Sequence, residues 1–257
     1  MEIENIQGLF ATYILIMTRL TGAFILSPVV GTKLIPVRIK LTLTLLCTYI
    51  ASLSVPVVSG DLWGASLILL LSKEFVLGAL FGLIFNLVFT VFTIAGEIIG
   101  MQSGLSMAQM NDPVSNTSLP IISQIFLMFL GVLFISMDGL QLIIQVVIQS
   151  FDIFKIDEMI PLRGMAKEVT LLGSWVFSSA LRIALPAVVS LLTVNFTFAI
   201  MTRAAPQMNI FSIGFPFTMV CGLGVTGMMI PIIASHFQAN MFESFTFLKM
   251  VVFKENV

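Results

Sequence analysis

The sequence predicts an all-α integral membrane protein with about six apolar helical segments. Hydrophobic residues make up 58% of the chain and charged residues only 10%, and the mean hydropathy is +1.09. These values lie far outside the range of water-soluble globular domains. A helix needs roughly 20 apolar residues to cross a bilayer, and six runs are of that order. The runs are residues 8–31, 41–59, 62–100, 119–150, 171–202 and 208–237. We expect one membrane domain over residues 1–257.

The first run follows an acidic N-terminus, MEIENIQGLF, and contains Arg19. A secretory signal has a basic start and an uninterrupted apolar stretch, so we expect this run to remain in the protein as a structural helix. Cys47 and Cys221 lie in separate apolar runs and are interpreted as small buried hydrophobic residues instead of a disulfide.

Three runs do not fit single straight spans, because they are too long or contain ionisable residues. We expect hairpins or broken helices there, with Lys73 and Glu74 marking a turn. Kinks are expected near Pro186 and Pro231, since proline removes a backbone donor. The three runs are 62–100 with Lys73 and Glu74, 119–150 with Asp138, and 171–202 with Arg182.

Six ionisable residues inside apolar runs are functional candidates, because charge is costly to place in a membrane. Neutralising pairs are the alternative, and a structural bridge from Arg19 to Glu97 or Asp138 is one such pair. The six residues are Arg19, Lys73, Glu74, Glu97, Asp138 and Arg182.

Small residues recur every four positions in the third run and its extension. This spacing puts them on one helical face, where a neighbouring backbone can approach closely. The neighbour is either a helix of the same chain or another subunit, and the sequence leaves both interpretations open. The residues are Gly78, Gly82, Asn86 and Thr90, followed by Gly96, Gly100 and Gly104.

Residues for catalysis are scarce. His236 is the only histidine, so an HExxH zinc motif is absent, and no GxxxxGK[ST] phosphate-binding loop occurs. We expect no enzyme activity, no cofactor and no metal. The net charge of −1 also predicts no nucleic-acid partner.

Residues 95–113 read AGEIIGMQSGLSMAQMNDP, which is rich in glycine and methionine and contains no basic residue. Methionine is unbranched and adapts to irregular surfaces. An irregular backbone cannot face lipid, so this segment must be buried in protein or line a water-filled cavity. The sequence therefore favours a deformable apolar constriction, with an ordinary interhelix loop as the alternative.

Four sequence phrases, spread over nearly the whole chain, resemble one known protein family. They are SPVVGTKLIPVRIK (27–40), KEFVLGALFG (73–82), AGEIIGMQSGLSMAQMNDP (95–113) and ALPAVVSLLTVNFTFAIMTRAAPQMNIFSIGFP (184–216). Together they resemble the FliR family of type III secretion export-gate subunits. Injectisome counterparts share much of the pattern, but MNIFSIGFP looks more like the flagellar branch.

The resemblance implies helical hairpins arranged in a spiral around a central pore in the bacterial inner membrane, at the flagellar basal body. It implies FliP-like and FliQ-like gate subunits as partners, together with FlhB-like and FlhA-like proteins and membrane lipid. The exported cargo would be unfolded flagellar proteins, and the gate would be required for flagellum assembly.

The resemblance also implies a pore plug across the central opening. The matching residues are Met101, Gln102, Ser103, Gly104, Leu105, Ser106, Met107, Ala108, Gln109, Met110, Asn111, Asp112 and Pro113. A second family phrase is expected to turn one helix into the next. It comprises Arg203, Pro206, Gln207, Met208, Asn209, Gly214 and Pro216.

Two other classes of function remain as alternatives. A secondary transporter would place broken helices at corresponding positions in two halves. SPVVGTKLIP and APQMNIFSIGFP both combine proline with glycine, but no further internal match and no solute-binding cluster accompany them. An intramembrane enzyme would need a paired catalytic constellation that the residue inventory lacks.

Overall fold

A computed structural model describes residues 2–32, 35–57, 65–106, 119–156, 162–204 and 210–253. Within these ranges the chain forms helices and no strand, which confirms the predicted all-α class. The helices are α1 (Glu2–Leu26), α2 (Val37–Ser52), α3 (Ala65–Gln102), α4 (Ile121–Ser136), α5 (Gly139–Ile153), α6 (Leu162–Ala204) and α7 (Ile210–Phe253).

Four of these helices are long and apolar enough to cross a membrane. The candidate spans are Gln7–Leu26, Ser66–Gln102, Thr170–Ala204 and Gly214–Leu248, and the bent pair of α4 and α5 forms either a broken fifth span or a re-entrant loop. Helix α2 has only 16 residues, which gives a length of about 24 Å. The helix in the predicted run 41–59 is therefore shorter than a full membrane span. The prediction of a multi-pass membrane protein is confirmed.

The expected break in the run 119–150 is confirmed at Asp138. The two helices α4 and α5 are bent by 64° at this point, and Asp138 has a left-handed φ of 54°. Aspartate tolerates this conformation better than most residues because its side chain is short and polar. The next residue, Gly139, lies against the ring of Phe134, where a Cβ atom would overlap the ring.

The expected break in the run 62–100 is wrong, because α3 continues without interruption from Ala65 to Gln102. Lys73 and Glu74 therefore lie inside a helix and do not mark a turn. The physical reason is that both charges find partners on neighbouring segments of the chain, as described below. A charged pair that is neutralised in this way does not have to leave an apolar helix.

The expected break in the run 171–202 is also wrong, because α6 continues through Arg182, whose side chain is exposed on the helix surface. Pro186 lies inside α6, and Pro216 and Pro231 lie inside α7; the kinks expected near Pro186 and Pro231 stay predictions. Long helices tolerate proline where neighbouring groups satisfy the freed backbone acceptor. The second family phrase thus begins in the last turn of α6 and ends inside α7, while residues 205–209 lie outside the described residues.

The chain divides into two compact units. The first contains Met1–Leu87, Phe134–Val169 and Phe242–Val257, and the second contains Val88–Leu133 and Thr170–Met241. Helix α3 contributes residues to both units.

A buried ion pair joins α1 to α3 in the first unit. The Nε of Arg19 donates to Oε2 of Glu74 at 2.5 Å, and both side chains are fully buried. The guanidinium also donates to the Ser150 hydroxyl and the Phe154 carbonyl oxygen, each at 2.9 Å, and lies 3.6 Å from the centre of the Phe151 ring. Arg19 therefore has several charge-assisted partners at the end of α5.

The partner of Arg19 is thus Glu74, and the expected bridge to Glu97 or Asp138 is wrong. Glu74 lies one helical turn before Gly78, on the same face of α3. Because glycine has no side chain, the backbone of α1 comes close enough for Arg19 to reach Glu74.

Lys73 extends this cluster to the segment after α5. Its ammonium donates to the carbonyl oxygens of Ile156 at 2.6 Å and Lys155 at 3.2 Å. It also lies 3.5 Å from Oε1 of Glu74. Together, Arg19, Lys73 and Glu74 connect α1, α3 and the C-terminal end of α5.

Replacing Glu74 with glutamine should destabilise the protein, because the Arg19 guanidinium would lose its counter-ion inside a fully buried site. Removing one partner of a buried pair typically lowers the free energy of unfolding by about 3–5 kcal/mol. Thermal unfolding of the purified protein in detergent measures the effect. The control is Glu243→Gln, which changes an exposed carboxylate on α7, and equal unfolding midpoints for the two variants would contradict the role of the pair.

Candidate functional site

The small-residue face of α3 packs on α1 in the first unit. A Cβ atom on Gly78 would overlap the carbonyl oxygen of Arg19, and one on Gly82 would overlap that of Ala23. From the other side, a Cβ atom on Gly22 would lie 2.9 Å from the backbone nitrogen of Ala79. The two helix backbones are therefore in direct contact. Asn86 continues the same row and is half-buried.

In the second unit the same row of α3 packs on the start of α4. A Cβ atom on Gly96 would lie 2.7 Å from the Cα of Ser123, and the Ser123 hydroxyl donates to the carbonyl oxygen of Thr93 at 2.9 Å. Gly100 faces Pro120, whose Cβ would lie 3.3 Å from an added Cβ atom. Contact within the chain thus accounts for both glycines.

An aromatic cluster also fixes α3 in the second unit. The ring of Phe237 on α7 makes edge-to-face contacts with Phe89 at 5.5 Å and with Phe92 at 5.8 Å between ring centres. Such pairs stabilise beyond the area they bury. Helix α3 is therefore held by α4 and by α7 before it ends.

The candidate site begins where α3 ends, in residues Met101–Ser106, which we call the α3 exit. The Ser103 N–H donates to the Ile99 carbonyl oxygen at 2.9 Å, and the Ser103 hydroxyl donates to the Gly100 carbonyl oxygen at 3.1 Å. Gly104 then adopts a left-handed φ of 77°, which glycine reaches without steric strain. This turn redirects the chain after α3.

The α3 exit is held against α7 at two points. A Cβ atom on Gly222 would overlap the Cβ of Ser103, and a Cβ atom on Gly104 would lie 2.8 Å from the Phe215 ring. At each point one partner lacks a side chain, so the two segments approach closely. The α3 exit therefore contacts α7 through close steric packing at these two points.

Side chains of the α3 exit differ in exposure. Ser103 and Leu105 are buried, Gln102, Gly104 and Ser106 are half-buried, and 67% of Met101 is exposed. The remaining residues of the predicted plug lie outside the described residues. These are Met107, Ala108, Gln109, Met110, Asn111, Asp112 and Pro113.

The other ionisable candidates are not gathered at this site. Glu97 is half-buried on α3, whereas Asp138, Arg182 and His236 are exposed. Among the described residues, no three of His, Cys, Asp and Glu are grouped as metal ligands would be.

No local pattern in the sequence indicates the two residues that position the exit. Phe215 lies inside the fourth family phrase (184–216), and Gly222 lies after it. Their partners, Gly104 and Ser103, are more than 100 residues earlier in the chain. A single sequence carries no local pattern that reports such a contact.

The chain matches known proteins along most of its length. Residues 10–244 match the family model described as bacterial export proteins, family 1. The chain is 30% identical to the flagellar biosynthetic protein FliR of Escherichia coli (strain K12), over 88% of this chain and 87% of that protein. The corresponding protein of Pectobacterium carotovorum is 28% identical over 84% of both chains, and that of Bacillus subtilis (strain 168) is 26% identical over 83% of both.

Replacing Gly96 with alanine should lower the thermal stability, because the new methyl group meets the backbone of Ser123. Overpacking of this kind typically costs about 1–3 kcal/mol. The matched control is Gly131→Ala on α4, where an added Cβ atom meets nothing within 4 Å. That variant should be unchanged or slightly more stable, since alanine favours a helix over glycine. Equal losses for both variants would contradict the proposed close contact.

Proposed function

Because the chain belongs to the bacterial export proteins, family 1, we propose that it is a subunit of the flagellar type III protein export gate. The observation that carries this proposal is the match to FliR proteins over more than four fifths of the chain. The chain also has the candidate membrane spans that a gate subunit needs.

The proposal includes the assembly in which the protein acts. The chain serves as one membrane domain in a spiral gate with FliP-like and FliQ-like subunits, next to FlhB-like and FlhA-like proteins. The gate lies in the bacterial inner membrane at the flagellar basal body and passes unfolded flagellar proteins. The subunit acts by forming a passage and is not an enzyme.

We further propose that Met101–Pro113 closes the passage. The α3 exit supports this role, because it leads from a firmly packed helix through the left-handed Gly104 into the methionine-rich segment. Met101 is largely exposed at the end of α3. Methionine side chains adapt to surfaces of different shape, which suits a seal that must reform after different polypeptides have passed.

The two contacts with α7 suggest which part of the closing segment stays in place. Ser103 and Gly104 are held by Gly222 and Phe215, so the α3 exit remains attached to α7 when the gate opens. The glycine contacts of α3 then stay packed while the passage is open.

Deleting residues 107–110 should make the cytoplasmic membrane leak small ions while the gate complex still assembles. The physical reason is that the seal is removed, whereas the α3 exit and its contacts with α7 are retained. Ion leakage is measured by dye release or by growth in the presence of excess salt. A deletion of equal length at residues 254–257 is the control. Tight membranes together with a normal complex would contradict the closing role.

Purification in mild detergent should recover the chain together with FliP-like and FliQ-like subunits, because a gate subunit completes its passage only in a complex. Mass spectrometry of the purified material identifies the partners. Recovery of the chain alone, with thermal stabilisation by a small solute, would instead indicate a secondary transporter.

A further inference from the structure

An open-sided groove of about 610 Å³ lies in the first unit. Its walls come from α2, from the segment before α2, and from the bend between α4 and α5. Most of the wall is apolar and includes Val30, Leu43, Phe134 and Ile144. The volume falls within the range of about 300–1,000 Å³ that is typical of small-molecule sites.

Two opposite charges also line this groove. They are Lys40 on α2 and Asp138 at the bend. The Lys40 ammonium donates to the Thr32 carbonyl oxygen at 2.9 Å, and Asp138 is exposed. Lys40 and Asp138 form no ion pair with each other, although both side chains are among the described residues. The Asp138 carboxylate can therefore bind a ligand, and the half-buried Lys40 ammonium has two further N–H donors besides the one to Thr32.

The apolar wall and the two charged residues of the groove indicate what kind of ligand would fit it. An apolar groove in a membrane protein is matched by an acyl chain, and a neighbouring basic residue is matched by a lipid phosphate. The Asp138 carboxylate would repel a purely anionic headgroup but would attract an ammonium group. A headgroup that carries both a phosphate and an ammonium complements both residues.

We propose that this groove binds a phosphatidylethanolamine molecule, with an acyl chain along the apolar wall, the phosphate at Lys40 and the ammonium at Asp138. The site is independent of the proposed gate function. It lies in the first unit, whereas the α3 exit belongs to the second.

The test uses the full-length chain in nanodiscs that contain equal amounts of phosphatidylethanolamine and phosphatidylglycerol. After transfer to detergent, native mass spectrometry measures which phospholipid stays bound. The wild-type chain should retain phosphatidylethanolamine in preference to phosphatidylglycerol. Asp138→Asn should reduce this preference about fivefold, the effect expected for one exposed charge pair. Asparagine tolerates the left-handed backbone at this position, so the bend is retained.

A second pair of variants tests the apolar wall. Leu43→Trp places a larger side chain in the groove and should lower the amount of retained phospholipid. Leu41→Trp is the matched control, because Leu41 lies on α2, is 47% exposed and does not line the groove. Circular dichroism checks that both variants are folded. If Leu43→Trp does not fold, the headgroup preference of Asp138→Asn decides the question.

Three outcomes would overturn the proposal. The first is a wild-type chain that retains no phospholipid or retains both types equally. The second is a folded Leu43→Trp variant that binds as much lipid as Leu41→Trp. The third is a photo-crosslinker at residue 43 that attaches to a partner protein in membranes and not to lipid, which would show that a protein helix fills the groove.

Discussion

The close approach of α3 to its neighbours is the constraint on which the other features of the structure depend. Lipid tails are as apolar as leucine, so helices in a membrane gain little from the hydrophobic effect and associate through tight packing. Gly78 allows the backbone of α1 to contact α3, and Gly96 allows the same for α4. The first contact brings Arg19 to Glu74, so two charges are neutralised inside an apolar helix pair. This neutralisation is consistent with α3 remaining a single helix through Lys73 and Glu74.

The same packing gives the end of α3 a defined position. In the second unit, Ser123 and the Phe237 ring hold α3 before it ends, and α7 then holds the turn at Ser103 and Gly104. The proposed closing segment thus starts at a point that α7 holds in place, which suits a seal that must reform after each polypeptide has passed.

Local patterns in the sequence predicted the fold class and one helix break, because both depend on residues that are close together in the chain. The apolar runs predicted the all-α membrane class, and Asp138 predicted the break between α4 and α5. The glycine row predicted a close-contact face on α3 but not which helices would meet it. Pairings between distant residues were missed or wrong: Arg19 binds Glu74, and Phe215 and Gly222 hold the α3 exit. The predicted break in α3 does not occur because Arg19 on another helix neutralises Glu74, and the pattern within one apolar run does not show such a partner. The predicted break in α6 does not occur either, and there Arg182 lies exposed on the helix surface.

If the proposed gate is right, the segment that begins at the α3 exit lies in the path of exported polypeptide. Photo-crosslinking in cells that hold a stalled flagellar export substrate measures this, with the crosslinker placed at residue 101 or 107. A third crosslinker at Phe242, which is 73% exposed on α7 and lies outside the proposed closing segment, is the comparison position. We expect crosslinks to the substrate from residues 101 and 107 and none from residue 242. Substrate crosslinks from residue 242 alone, or from none of the three positions while export is stalled, would contradict it.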